Sequence, residues 1–159
     1  MKQLVLASQS PRRKELLEKA GFRFEVLSIE ISEIPNENMS LEDQIKDLAW
    51  QKAKALVDSG KLMKSQEKLV LAADTVVVLE QKIMGKPKDL DESRSHICRL
   101  SGRTHRVVTA ICMWDLGTQK FETAAEWADV TFRNLTEAEI EEYVVSRDGM
   151  DKAGAYGIQ

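Results

Sequence analysis

The sequence predicts an α/β fold: a single domain with a mixed, twisted β-sheet flanked by helices. Strand-like and helix-like segments alternate from the start of the chain, which is typical of this class. Nine of the eleven residues in 69–79 are apolar, and many are β-branched, so this run has the character of a strand buried on both faces. A chain of 159 residues without linkers or repeats is expected to form one domain.

The first strand and helix come from residues 3–21. Residues 3–7 form a short apolar strand, and Ser10 then serves as N-cap of a helix with Pro11 at its first position and Gly21 after its end. The predicted apolar stripe of this helix consists of Leu16, Leu17 and Ala20. The positive end of the helix, with Ser8, Ser10, Arg12 and Arg13 around it, suits a phosphate. A merely solvated basic turn is the alternative.

A second strand and a longer helix follow. Alternating polar and apolar residues over 22–34 predict an edge-like strand. Glu33 lies near the end of this strand, and taken by itself it is expected to be a solvated surface residue. Ser40 with Asp43 predicts the start of a helix that ends at 59–60. Lys52 falls on its apolar stripe, so its ammonium is aimed inward unless the side chain bends out to solvent. The neighbouring helix lysines, Lys46 and Lys54, point elsewhere.

Asp74 lies in the middle of the apolar run 69–79. A carboxylate away from water costs several kcal/mol unless a cation, a metal or hydrogen-bond donors compensate it. Catalysis is one reason to keep such a group. A structural aspartate, or a strand that ends at Ala73, is the alternative.

The second half of the sequence predicts a short strand after a turn, two helices and a long β-hairpin. The chain turns after residue 80 and returns to a weak Gly-Lys-Pro motif at 85–87, which lacks the spacing of a P-loop. A helix over 91–100 places His96 on the surface, and strands 105–114 and 120–133 pair across a turn at 115–118. His105 is expected to be a hydrogen-bonded structural residue. Thr136 and Glu139 form a capping box, and the glycines of 151–159 permit a close backbone approach.

Composition excludes several classes of function. The net charge of −3 offers no basic field for a stable nucleic-acid partner. The apolar start of the chain is too short for a signal peptide or a membrane span, so we expect a cytoplasmic protein. Cys98 and Cys112 are too few and too far apart for a zinc cluster, and both are expected to be buried thiols.

Taken together, several ordered strings resemble the Maf family of nucleotide pyrophosphatases. They are LASQSPRRKELL, WQKAKAL, AADT, GKP, LSGRTH, VTF and DKAGAYGIQ. The resemblance implies a fold like that of inosine triphosphate pyrophosphatases. It implies hydrolysis of a nucleoside triphosphate to the monophosphate and pyrophosphate, aided by Mg²⁺ or Mn²⁺, as housekeeping of nucleotide pools.

The resemblance also assigns roles to single residues. Asp74 matches the proton acceptor, and Glu33 with Asp74 matches the metal-binding acids. Lys52 and Lys86, with Ser8 and Arg13, match phosphate-binding positions. Three further positions match the branch that resembles dTTP and UTP pyrophosphatases: Arg12, Thr75 and Gln159. An amide such as Gln159 can donate to and accept from a pyrimidine edge.

The resemblance leaves three expectations open. Family members normally continue past YGIQ, so residues 1–159 are expected to lack a C-terminal segment. The family is also associated with arrest of septum formation, so a nucleotide-sensing regulator that does not need turnover is the alternative function. The sequence is also compatible with a homodimer.

Overall fold

The structure is a computed structural model and describes residues 2–32, 34–62 and 67–158. Its helices and strands follow in the order β1 (Gln3–Leu6), α1 (Pro11–Lys19), β2 (Phe24–Val26), α2 (Leu41–Asp58), β3 (Lys68–Leu79), β4 (Lys82–Met84), α3 (Leu90–Leu100), β5 (Thr104–Asp115), β6 (Lys120–Thr131) and α4 (Glu137–Ser146). A short 3₁₀ helix (Ala153–Ala155) follows α4.

Six strands form one mixed sheet in the described part of the chain. Their order is β2-β1-β3-β5-β6, and β4 pairs with β3. β1 is parallel to both β2 and β3, whereas β4 is antiparallel to β3. The predicted α/β class and mixed sheet are therefore confirmed.

The chain divides into two compact units, which we describe separately. The first comprises Met1–Asp74 and Thr109–Ala125, and the second comprises Thr75–Val108 and Glu126–Gln159. The boundaries between them fall within β3, β5 and β6.

The first unit is built on the parallel strands β1, β2 and the start of β3. Leu6 pairs with Val26 on one side and with Leu71 on the other. Helix α2 begins at the predicted N-cap, because Ser40 Oγ accepts from Asp43 N at 3.2 Å. The helix buries an apolar stripe consisting of Ile45, Leu48, Ala49, Ala53 and Leu56.

The second unit packs α3, α4 and the 3₁₀ helix around the end of β3. The predicted capping box of α4 is present, with Thr136 and Glu139 bonded in both directions. Gly154 has φ +68°, and a Cβ there would stand 2.7 Å from Val77. Its backbone N also donates to Gly85 O at 3.0 Å. The close backbone approach predicted for this glycine-rich segment is therefore confirmed.

Two predicted features of the first unit are wrong. The strand predicted over 22–34 is only Phe24–Val26, because its partner β1 is four residues long and the ladder ends with it. The apolar stripe of α1 is not buried: none of its residues is, and Leu16 is 67% exposed. Six of the nine α1 residues are charged, so two leucines do not make a core-facing stripe.

Two predictions on α3 are also wrong. His96 is buried, not on the surface, whereas Cys98 is exposed and only Cys112 is buried. The reason is the helical period, since the buried side of α3 consists of Ser93, His96, Ile97 and Leu100. Cys98, two positions after His96, points away from that side.

Candidate active site

Asp74 is a buried carboxylate inside a continuous strand. It is 7% exposed, and β3 continues for five residues beyond it to Leu79. The alternative of a strand that ends at Ala73 is therefore wrong. Because the backbone on both sides of Asp74 is held in the sheet, its position is fixed.

Lys52 compensates this carboxylate. Its Nζ donates to Asp74 Oδ1 at 2.5 Å, and the two side chains are 19% and 9% exposed. The prediction that Lys52 points inward is confirmed. A buried carboxylate is tolerated when a cation lies beside it, and here the cation comes from α2.

The neighbouring lysines of α2 show the contrast. Lys46 and Lys54 form ion pairs with Glu42 and Asp58 on the surface of the same helix. Both pairs have the i, i+4 spacing that such helix pairs favour. As predicted, Lys52 alone among these three turns to the interior.

Arg13 joins the turn after β1 to β3. Its Nη1 donates to Ala73 O at 2.8 Å and to Ser8 Oγ at 3.3 Å. Ser8 is 8% exposed, and its Oγ also accepts from Ser10 N at 3.2 Å. These contacts are reached because β1 and β3 are parallel neighbours, so the chain after Leu6 runs beside the residues that lead to Asp74.

The start of α1 is basic and carries no acidic residue in its first turn. Pro11 stands at the predicted first position. Ser10 occupies the N-cap position, but its side chain makes no cap hydrogen bond, so that part of the prediction is wrong. The positive end of the helix dipole and two arginines combine at this point, which favours an anion.

The structure brings four predicted residues together in the first unit: Ser8, Arg13, Lys52 and Asp74. Arg12 is exposed on α1 of the same unit. In the second unit, Thr75 is half-buried and Lys86 is exposed. Glu33 and Gln159 lie outside the described residues.

Sequence reasoning missed two contacts. The direct bond between Lys52 and Asp74 had a signal, namely a buried carboxylate in need of a cation and a lysine on an apolar stripe. The bond from Arg13 to Ala73 O had none, because any residue carries a backbone carbonyl and the contact depends on how β1 is aligned with β3.

His105 is a structural residue, as predicted. It is 2% exposed, and its Nε2 shares a hydrogen bond of 2.6 Å with Tyr156 Oη in the second unit. Burial lowers the pKa of His105 and raises the pKa of Tyr156 to about 12. Both side chains are therefore neutral at pH 7.

The carboxylates of the candidate site fit a metal ion that is bound mainly through phosphates of a bound molecule. Among the described residues, no group of three or more His, Cys, Asp or Glu side chains is placed to hold a metal. Mg²⁺ and Mn²⁺ prefer oxygen donors and commonly use one or two carboxylates together with phosphates and water. Asp74 supplies one such carboxylate.

Comparison with known proteins decides the family. A profile of the family described as Maf-like protein matches residues 3–159. The chain belongs to the Maf family. Its site thus lies on a Maf fold, with Asp74 buried in the central strand.

Curated relatives of this Maf chain include three proteins named dTTP/UTP pyrophosphatase. The one from Bdellovibrio bacteriovorus is 44% identical over 156 residues, which cover 98% of this chain and 81% of the relative. Those from Bacillus cereus (strain G9842) and Alkaliphilus oremlandii are 43% and 45% identical, over all of this chain and 80% of each relative. A crystal structure of a Vibrio cholerae protein aligns over 89% of this chain and 68% of its own, at 9% identity and a TM-score of 0.45, too distant to carry an argument.

Proposed function

We propose that this chain hydrolyses dTTP and UTP to the nucleoside monophosphate and pyrophosphate, as a housekeeping enzyme of nucleotide pools. The names of relatives at 43–45% identity support the substrate class. The observation that carries the chemistry is the buried pair of Lys52 and Asp74, 2.5 Å apart beside the basic start of the chain's first helix.

Asp74 is the proton acceptor in this proposal. A carboxylate on a rigid strand can orient a water molecule toward the α-phosphorus and accept its proton. The attack breaks the bond from the α-phosphorus to the bridging oxygen, and pyrophosphate leaves with that oxygen. Because Asp74 lies inside β3, the strand fixes the backbone position from which the carboxylate extends.

The basic groups stabilise the charge on the phosphates. Lys52, Arg13 and Lys86 are cations, and Ser8 adds a hydroxyl donor. Preorganised donors of this kind can each contribute about 3 kcal/mol when charge develops on the leaving oxygens. Arg13 already holds Ser8 and Ala73 O, so its guanidinium also fixes the geometry of this part of the site.

We further propose that Mg²⁺ or Mn²⁺ assists the reaction, with Asp74 and Glu33 as the protein ligands. The metal would neutralise phosphate charge and make the phosphorus more open to attack. The carboxylate of Asp74 fits this ion because a metal bound largely by substrate phosphates needs few protein oxygens.

Choice of the base is assigned to Arg12, Thr75 and Gln159, as the resemblance implies. A pyrimidine offers carbonyl and imide groups that an amide side chain can match, and an ill-fitting base leaves buried polar groups unpaired. We also propose that the protein acts in the cytoplasm, with no stable nucleic-acid partner. Within residues 2–32, 34–62 and 67–158, no helix is long and apolar enough to cross a bilayer.

Pyrophosphate release from dTTP, UTP, CTP, GTP and 7-methyl-GTP, with Mg²⁺ or Mn²⁺ against a chelator, tests the proposal. The expected result is metal-dependent turnover of dTTP and UTP above the other three. Asp74→Asn should reduce kcat by about a thousandfold or more, because the proton acceptor is lost, while nucleotide binding remains. Turnover that survives this substitution, or none by the folded unmodified protein, would contradict the proposal.

A further inference from the structure

The pair of Lys52 and Asp74 places a cation on the carboxylate that the proposed reaction uses. Lys52 Nζ donates to Asp74 Oδ1, and exposures of 19% and 9% leave little water around the two side chains. A carboxylate oxygen engaged in this way has less capacity to bind a metal ion. An ammonium and a divalent cation at one oxygen also repel each other.

We propose that Lys52 caps Asp74 in the free protein and moves to phosphate oxygens when a triphosphate binds, so that the divalent cation reaches Asp74 with the nucleotide and not before it. This inference rests on the proposed function, and it adds an order of binding. In this proposal Lys52 binds Asp74 in the free protein and then phosphate oxygens in the complex, whereas the proposed function gives it the phosphate contact alone.

Helix α2 allows this movement while its backbone stays in place. Ala49, Ala53 and Leu56, on the same side of the helix as Lys52, are fully buried and anchor it. The lysine side chain has a flexible four-carbon stem and three rotatable donors, so its ammonium can change partners without a shift of the helix. Several negative phosphate oxygens attract it more strongly than one carboxylate.

Arg13 shows the opposite arrangement in the same unit. Its planar guanidinium donates through Nη1 to Ala73 O at 2.8 Å and to Ser8 Oγ at 3.3 Å, and these acceptors belong to the backbone and to a buried serine. A group held by the fold in this way positions its surroundings. Lys52 is held by Asp74, a group that the reaction itself engages.

The proposal and a simple phosphate contact predict different affinities for a metal ion when Lys52 is replaced. If Lys52 only bound phosphate, its removal would leave metal binding to the free protein unchanged. If it caps Asp74, a neutral replacement should tighten metal binding to the free protein even though it lowers turnover.

Binding of Mn²⁺ to the folded full chain without nucleotide, followed by electron paramagnetic resonance of the free ion, measures this. Lys52→Met and Lys52→Gln should bind Mn²⁺ at least about tenfold more tightly than the unmodified protein, because the competing charge is gone. Lys52→Arg should stay weak since it keeps the charge, and Lys54→Met is the matched control on the same helix. Adding Asp74→Asn to Lys52→Met should abolish the gain.

Equal affinities of the unmodified protein and Lys52→Met, or a gain that survives Asp74→Asn, would overturn the proposal. Pyrophosphate release from dTTP, assayed in parallel on the unmodified protein, separates its failure from that of the proposed function. An active enzyme that binds Mn²⁺ equally well with and without Lys52 would refute only the capping role.

A measurement on the unmodified protein tests the proposal even if the Lys52 variants do not fold. In ¹⁵N spectra, Mn²⁺ alone at submillimolar concentration should leave the amide signals of Ala73 and Thr75 sharp, whereas Mn²⁺ with inorganic tripolyphosphate should broaden them. Broadening by Mn²⁺ alone, or by neither addition, would contradict the proposed order of binding.

Discussion

Both units of this chain bury polar side chains, but the first buries a charged pair and the second a neutral one. In the first unit, Lys52 Nζ lies 2.5 Å from Asp74 Oδ1. In the second, His105 and Tyr156 share a hydrogen bond of 2.6 Å, and with Phe132 they form a cluster whose ring centroids are 4.8 to 5.3 Å apart.

The difference separates chemistry from stability. A buried ion pair costs desolvation and is often no more stabilising than apolar residues of the same volume, so the pair in the first unit is better explained by what it does. A neutral bond inside packed rings adds stability and cannot neutralise a phosphate. We therefore expect damage to the first pair to affect catalysis most, and damage to the second to affect folding only.

After Asp74→Asn, the largest effect is expected from Lys52→Met. Loss of a preorganised cation should lower kcat/KM for dTTP by about a hundredfold or more. Leaving the carboxylate without its cation should also lower the free energy of unfolding by about 2 to 3 kcal/mol. This is a small loss for a broken buried ion pair, because the Lys52 side chain retains some exposure. Urea unfolding measures it.

Lys54→Met is the control for this change. Lys54 is 44% exposed and pairs with Asp58 on the surface of the helix, so we expect a stability change below about 0.5 kcal/mol and normal turnover. A similar loss of activity in both variants would show that the charge of the helix, and not its contact with Asp74, matters.

A smaller effect, confined to stability, is expected from Tyr156→Phe. The substitution leaves His105 Nε2 without its bond in a buried site, which should cost about 1 to 2 kcal/mol in urea unfolding. Tyr143→Phe is the matched control, since its hydroxyl donates to Asp148 at 3.3 Å near the surface and should cost under about 0.5 kcal/mol. A loss of dTTP turnover in folded Tyr156→Phe would break the proposed division between the units.

The smallest effect concerns pH. Burial lowers the pKa of both His96 and His105 from the ordinary value of 6.5. The unfolded chain then binds protons first as the pH falls, so their contribution to stability is complete above about pH 7 and is lost as the pH drops below about 6.5. Each histidine should add a slope of at most about 1.4 kcal/mol per pH unit.

Urea unfolding between pH 5 and 8 checks this effect by comparison with the double variant His96→Gln, His105→Gln. Carboxylates also contribute to acid unfolding, so the difference between the two proteins is the informative quantity. Parallel pH curves for the two would contradict the assignment to these buried imidazoles.

Local patterns predicted much of the site. Asp74 stood out because a carboxylate interrupts an apolar strand, and Lys52 because it falls on the buried stripe of a helix. Both judgements use only neighbours in sequence, and both side chains lie where predicted. The same logic could have placed His96, since positions 93, 96, 97 and 100 share one side of α3, but its polar neighbours hid the stripe.

Contacts between distant segments were beyond the sequence. The length of β2 is set by the three residues of β1 that it pairs with, and not by the alternation that continues after Val26. The bond of Arg13 to Ala73 O likewise depends on the alignment of β1 and β3. Such features follow from strand register, which no local periodicity specifies.

The most direct test of this account measures dTTP turnover and urea unfolding side by side for Asp74→Asn and Tyr156→Phe. We predict that Asp74→Asn stays folded but loses turnover, whereas Tyr156→Phe keeps turnover and loses stability. Turnover retained by Asp74→Asn, or abolished in folded Tyr156→Phe, would contradict the claim that the charged pair serves the reaction and the neutral pair serves the fold.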